Sequence, residues 1–202
     1  KKPFIHLITT GNELIPPGVT KGEGQIYESN SYALAAAAEN FGFQCQEKKQ
    51  IADDFEKIKS GIKDSLEISD VLILSGGISV GDYDFVKQAL EENGVEELFY
   101  KVFQKPGKPL YFGRKGNKFI FALPGNPASS LSCFYLYVLP LLQQLSGSEK
   151  NGLERYFFPI VHDFENSGDR PAFLKAKVDE GKVEILDGQG SSMIRSMAMG
   201  NA

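Results

Sequence analysis

Val71-Leu72-Ile73-Leu74-Ser75-Gly76-Gly77-Ile78-Ser79-Val80-Gly81-Asp82-Tyr83-Asp84 joins an unbroken apolar run to a glycine-rich turn, and a helix-like stretch opens at Phe85. A short apolar run bounded by turn residues reads as a buried strand. A strand that ends in such a turn is a place to hold an anion. Small residues let backbone N–H groups approach a phosphate, and the N-terminus of the following helix adds a positive dipole. Asp82 and Asp84 would repel that phosphate unless a divalent cation lay between them. The stretch therefore points to a metal–phosphate site or, equally, to a tight strand–helix connection with capping aspartates. It is not a P-loop, because no Gly-Lys-Ser/Thr follows, and it lacks the GxGxxG spacing of a dinucleotide fold.

Strand-like and helix-like segments alternate outward from this turn, the pattern of a mostly parallel sheet covered by helices on both faces, a three-layer αβα fold. Phe4-Ile5-His6-Leu7-Ile8 reads as a first strand, ending at Thr9-Thr10-Gly11. Residues 31–41 read as a helix with Ser29 or Asn30 as N-cap and Gly42 beyond its end. Residues 43–51 read as a strand whose charged half suggests a sheet edge. Phe55, Ile58, Ile62 and Leu66 recur at helical spacing in a helix over 54–68, and another helix is expected over 85–93. Extended segments follow at 98–104 and 109–113, then a strand at 119–123 and an apolar helix over 128–145. After Ser146-Gly147-Ser148 the pattern changes to short strands at 155–164, 172–178 and 182–186. The expected division is thus an α/β domain over 1–147 and a small, barrel-like β module over 148–202.

The chain has 202 residues, 42% hydrophobic and 24% charged, enough for one large domain or one plus a small one. A net charge of −4 argues against a nucleic-acid surface. No run approaches the ~18 apolar residues of a membrane span, and the start at Lys1-Lys2-Pro3-Phe4 has no signal-peptide core, so a cytoplasmic protein is expected. Cys45 and Cys133 form no disulfide or zinc pattern and read as two reduced, partly buried thiols. His6 and His162 read as packed or surface strand residues rather than catalytic ones.

In an open α/β sheet, ligands gather at the carboxyl ends of the strands, especially where strand order reverses. The polar motifs here all lie at such ends: Thr9-Thr10-Gly11-Asn12-Glu13, Ala52-Asp53-Asp54, Ser75 to Asp84, and Pro124-Gly125-Asn126-Pro127-Ala128-Ser129. A shared rim makes one site a better reading than several unrelated turns. Gln104-Lys105-Pro106-Gly107-Lys108-Pro109 holds two lysines on a stiff frame suited to an anion, or else is an exposed loop with solvated lysines. Glycine turns for phosphate, lysines for an oxyanion and separated carboxylates suggest metal-assisted chemistry on a phosphorylated substrate. Asp53, Asp82 and Asp84 are the candidate ligands of Mg²⁺, with helix capping as the competing role for the same residues.

Taken in order, Thr10-Gly11-Asn12-Glu13-Leu14, Gly24 to Asn30, Ser75 to Asp84, Lys105-Pro106-Gly107-Lys108-Pro109 and Leu123-Pro124-Gly125-Asn126-Pro127 resemble the molybdopterin molybdotransferases, the MoeA-type proteins and the E domain of gephyrin. The tail resembles them more weakly, through Gly190-Ser191-Ser192-Met193-Ile194-Arg195-Ser196. The molybdopterin adenylyltransferases share the fold and the glycine motifs, but the lysine segment and the β tail favour the first family. The resemblance implies insertion of molybdate into adenylated molybdopterin, with Mg²⁺-dependent release of AMP. It assigns Asp84 and Asp53 to the metal or phosphoanhydride, and Glu13 to a supporting role. Thr10, Gly11, Ser75, Gly76, Gly77, Ser79 and Gly81 would hold the pterin phosphate or adenylate, and Lys105 and Lys108 the incoming oxyanion. Pro124, Gly125, Asn126 and Ser129 would close the pocket. The resemblance also implies a piece of a longer homodimeric protein, with two further domains before Lys1 and more of the tail after Ala202. A molybdopterin adenylyltransferase is a further implied partner. Adenylyl transfer and a non-catalytic scaffolding module with a vestigial pterin site are the alternatives, and molybdate and tungstate are not distinguished.

Overall fold

The computed structural model describes residues 1–78 and 84–202. Its frame is a six-stranded sheet. Strand β1 (Ile5–Thr10) is followed by the short parallel pair β2 (Leu14–Ile15) and β3 (Ile26–Tyr27), helix α1 (Asn30–Asn40) and strand β4 (Cys45–Ile51). Helix α2 (Phe55–Ile68), strand β5 (Val71–Ser75) and helix α3 (Phe85–Glu92) come next, then β6 (Glu96–Tyr100), β7 (Tyr111–Lys115) and β8 (Lys118–Leu123). The strand order is β4-β1-β5-β8-β7-β6. The first four strands are parallel, and β7 and β6 are antiparallel additions. As its charge suggests, β4 takes an edge.

Two cores flank the sheet because alternate residues of each strand face opposite sides. Ile5, Leu7, Val71, Ile73, Phe121 and Leu123 pack against α1 and the long helix after β8. Ile8, Leu72, Leu74, Ile120 and Ala122 pack against α2 and α3. In α2 the apolar stripe Ile58, Ile62 and Leu66 is buried, and Asp54 caps the helix by accepting a hydrogen bond from the Lys57 amide at 2.9 Å.

The expected helix over 128–145 has three parts: α4 (Pro127–Cys133), a π-helical turn at Phe134–Val138, and α5 (Leu139–Leu145). Pro140 supplies the reason. It has no N–H, and its ring crowds the carbonyl four residues back, so the preceding turn widens. Ser146, Gly147 and Ser148 then close the helix, their amides donating to the carbonyls of Leu142, Gln144 and Gln143.

The tail departs most from expectation. Residues 155–164 make no strand, only an isolated bridge between Ile160 and Val183. Regular β-structure is confined to the antiparallel ribbon β9 (Ala176–Asp179) and β10 (Lys182–Ile185), and a helix α6 (Ile194–Met199) follows. No barrel closes among the described residues. Two four-residue strands cannot wrap round a core, and Tyr156, Phe157 and Phe158 lie on the surface.

Candidate functional site

The chain passes from β1 outward to β4 and then crosses back to β5, so strand order reverses between β1 and β5. A cleft of about 660 Å³ opens at the carboxyl ends of these strands. Thr10, Glu13, Asp53, Ser75, Gly76 and Gly77 line it, as do Pro124, Gly125 and Asn126. Every rim motif read from the sequence contributes to this one cavity.

Its floor is bare backbone. Gly76 has φ +94°, and a Cβ there would lie 2.4 Å from the Thr10 carbonyl oxygen. At Gly77 (φ +64°) a Cβ would meet Thr10 Oγ1 at 2.7 Å and Val86 Cγ2 at 2.6 Å. Only glycine fits either position. The Thr10 hydroxyl beside them is buried with no hydrogen-bond partner among the described residues. Gly11 does not line the cleft, but a Cβ there would lie 2.8 Å from Leu14 Cγ and 3.0 Å from Glu13 Oε1, so this glycine makes room for both side chains.

The two aspartates after β4 divide the roles that their sequence left open. Asp54 caps α2, whereas Asp53 lines the cleft with its amide donating to Asn12 Oδ1 at 3.0 Å. Glu13 is fixed through its own carbonyl, which accepts from the Ile26 amide at 2.9 Å. Asp84 has another environment. Its Oδ1 accepts from the Lys87 amide at 3.0 Å, capping α3, and its Oδ2 accepts from the Tyr100 hydroxyl at 3.1 Å. Burial, together with the Asp84 charge, pushes the Tyr100 phenol up to about 12. Asp84 is not among the described residues that line the cleft, and Ser79, Gly81 and Asp82 lie outside the described residues. No group of three or more His, Cys, Asp or Glu gathers as a metal site among the described residues. Three described carboxylates line the cleft, Glu13, Glu28 and Asp53. Glu28 is buried and engaged by the Ser31 amide at 2.9 Å and by the Ser31 hydroxyl. This leaves Glu13 and Asp53, and a Mg²⁺ ion is commonly held by one or two carboxylates with water and substrate phosphate supplying the rest. This donor set fits such an ion.

Lys105 and Lys108 are exposed on a loop that reaches the cleft through Pro109 rather than through the lysines themselves. The loop is anchored along its length. The Lys105 amide donates to the Pro171 carbonyl at 2.9 Å, Gln104 Nε2 to the Pro106 carbonyl at 2.9 Å, and Cys133 Sγ to the Gly107 carbonyl at 3.6 Å. Tyr137, in the π-helical turn, donates its hydroxyl to Gln104 Oε1. Ser129 is buried in α4 and does not line the cleft.

Two features were not legible beforehand. Asn30, read as a helix cap, donates its amide to Ser75 Oγ at 2.9 Å and to the Gly125 carbonyl at 2.8 Å, tying together the ends of β5 and β8. The tail also reaches the cleft. Ser192 lines it, Asn126 Nδ2 donates to Ser191 Oγ at 3.0 Å, and the Ala128 amide donates to the Ser191 carbonyl at 3.1 Å. The Gly190-Ser191-Ser192 triplet was the available signal, but nothing in the sequence says where the tail folds back.

Residues 6–144 match the family model described as a probable molybdopterin binding domain. The chain belongs to this family. The family's span runs from β1 to α5, so it contains the glycine floor, the cleft carboxylates Glu13, Glu28 and Asp53, and the lysine loop. Over 96% of its length the chain is 34% identical to the molybdenum cofactor synthesis protein cinnamon of Drosophila melanogaster, covering 33% of that protein. A molybdopterin molybdenumtransferase of Synechocystis is 39% identical over 79% of the chain, which covers 43% of it. Among solved structures, a molybdopterin biosynthesis MoeA protein of Pyrococcus horikoshii superposes with a TM-score of 0.81 at 32% identity, over 99% of this chain and 49% of that one. The chain therefore spans a third to a half of these relatives. No helix among the described residues is long and apolar enough to cross a membrane.

Proposed function

We propose that the chain acts in molybdenum cofactor biosynthesis, forming the part of a molybdotransferase that binds adenylated molybdopterin while molybdate is inserted and AMP is released. The observation that carries this reading is the convergence of Glu13 and Asp53 on the Gly76-Gly77 floor at the strand-order switch. The bare floor admits a phosphate, and the unpartnered Thr10 hydroxyl is a donor within its reach. Glu13 and Asp53 would hold Mg²⁺, which when bound neutralises phosphate charge and polarises the phosphoanhydride. Lys105 and Lys108 form no ion pair among the described residues, so their charge is available to draw molybdate towards the cleft. Asp84, engaged with the α3 cap and Tyr100, stands second to Asp53 as a metal ligand. The names of the relatives support the same chemistry. Their greater length supports a site completed by further segments; the homodimer and the supply of substrate by an adenylyltransferase rest on the family resemblance alone.

Because the chain spans only part of its relatives, binding is the decisive readout. Calorimetric titration with adenylated molybdopterin in Mg²⁺ should give saturable binding. Asp53→Asn should weaken the Mg²⁺-dependent component roughly 10- to 100-fold, the scale of losing one metal-site interaction. Failure of the unaltered chain to bind adenylated molybdopterin would overturn the reading, and release of pyrophosphate from ATP and molybdopterin would favour adenylyl transfer instead.

A further inference from the structure

Lys175 is a buried lysine, 9% exposed, in a tail that is otherwise largely open to solvent. Burying an ammonium is unfavourable unless its donors are all met. Here Nζ donates to the carbonyls of Gly188 at 2.7 Å, Gly190 at 3.1 Å and Met193 at 3.3 Å, one acceptor for each N–H. No carboxylate pairs with it among the described residues. Burial alone draws its pKa below the ordinary lysine value. Gln189 completes the arrangement, accepting from the Lys175 amide at 3.0 Å and donating to the Lys175 carbonyl at 2.8 Å. The loop gathered in this way is the one that carries Ser191 onto Asn126 and the Ala128 amide, and Ser192 into the cleft wall.

We propose that Lys175 is a positioning residue for the cleft: its buried ammonium fixes the loop of residues 188–193, so that Ser192 lines the cleft while Ser191 holds Asn126 and the Ala128 amide. This rests on the reading of the cleft as the substrate site. A flexible 188–193 loop would have to be ordered each time a ligand bound, whereas the clamp orders it in advance. The lysine touches no ligand itself, and its effect passes entirely through the loop.

The test compares the chain with Lys175→Met, which keeps an apolar stem but removes every donor, and with Lys177→Met, an exposed neighbouring control. Hydrogen exchange should quicken at least ~10-fold in residues 188–193 and at the Ala128 amide of Lys175→Met, while β5 and β8 exchange as before. Molybdate and AMP, titrated separately, should each bind about tenfold more weakly to Lys175→Met and unchanged to Lys177→Met. Unaltered exchange would overturn the proposal, as would a loosened loop with unaltered binding of both probes. If Lys175→Met also loses protection in β9 and β10, Lys175→Gln, which keeps two N–H donors, is read in its place. A loosened loop beside intact strands then supports the clamp, and a loop as protected as in the unaltered chain overturns it. Should the unaltered chain bind neither probe, the substrate-site reading fails, and the clamp stands or falls on exchange at Ala128.

Discussion

Strand β5 and the ribbon β9–β10 are both β-structure, held in opposite ways. All five residues of β5 are buried, hydrogen-bonded between parallel neighbours β1 and β8, with a helical layer on each face. The ribbon pairs along its length only with itself, adding isolated bonds between Val183 and both Pro159 and Val161 and between Ala176 and Ala202, and among its residues only Ala176 is buried. The tail that carries it is attached to the rest chiefly by polar contacts, Lys105 to residues 171–173, Gln143 to Gly152, and Ser191 to the start of α4, with Met197 of α6 packing against the core. The central sheet is therefore set by apolar burial, which is non-directional and large, whereas the tail is set more by directed hydrogen bonds, each worth about 1 kcal/mol. The candidate cleft lies where the two meet, its floor set by packing and its Ser192 side by directed hydrogen bonds.

The sharpest way to break this comparison uses glycines in both regions. Gly76→Ala puts a Cβ against the Thr10 carbonyl, with a backbone that cannot give way, and should destabilise the chain by about 4 kcal/mol, at the upper end for point substitutions. Gly181→Ala in the β9–β10 turn, at φ +73° with open space around it, should cost about 1 kcal/mol. Urea unfolding of both variants measures the difference, and equal losses would mean that floor and ribbon are equally constrained.

A smaller effect is expected from proteolysis. The Ser146–Ser148 stretch is hydrogen-bonded as a helix end, and the backbone beyond it at 154–169 is exposed throughout. Limited trypsin digestion should cut at Arg155 roughly 100-fold faster than anywhere in the sheet strands or in α1 to α3, where cleavage requires opening of the sheet. First cuts inside those strands or helices would erase the distinction between the two regions.

The smallest expected effect is at His6, near the start of β1. It is 2% exposed, and neither ring nitrogen has a partner among the described residues. Burial lowers its pKa, opposed by the Glu47 charge and reinforced by Lys49. The unfolded chain takes up a proton near pH 6.5 while the folded chain resists it. This contribution to stability is therefore complete above pH 6.5 and declines as the pH falls below it. Comparing urea midpoints at pH 7.5 and 5.5, His6→Leu should lose less on acidification than the unaltered chain. An identical loss would place the acid sensitivity elsewhere.

The sheet was legible because its strands are apolar runs that end in turn residues, and α2 because its apolar spacing survives intact. The rim motifs were legible for the same reason, since loops at strand ends carry the polar residues that packing excludes. Other features depend on contacts that sequence periodicity does not encode. Asp53 and Asp54 are the same residue type side by side, and only the direction of entry into α2 decides which one caps. Tyr156, Phe157 and Phe158 have strand composition, but strand formation needs a neighbour to pair with, and among the described residues none pairs with them. Lys175 looked like any surface lysine, because its three acceptors come from a loop more than ten residues away. The π-helical turn had a visible cause in Pro140, but its use, bringing Tyr137 to Gln104, required the fold.

Cys133, lodged against Gly107 beneath the lysine loop, carries a chemical consequence. Burial pushes its thiol up to about 12, and Cys45 is pushed up to about 11. The thiolate is the form that reacts and ligates, so neither sulfur is nucleophilic at neutral pH. Mild oxidants and alkylating reagents should leave the packing under Lys105 and Lys108 untouched.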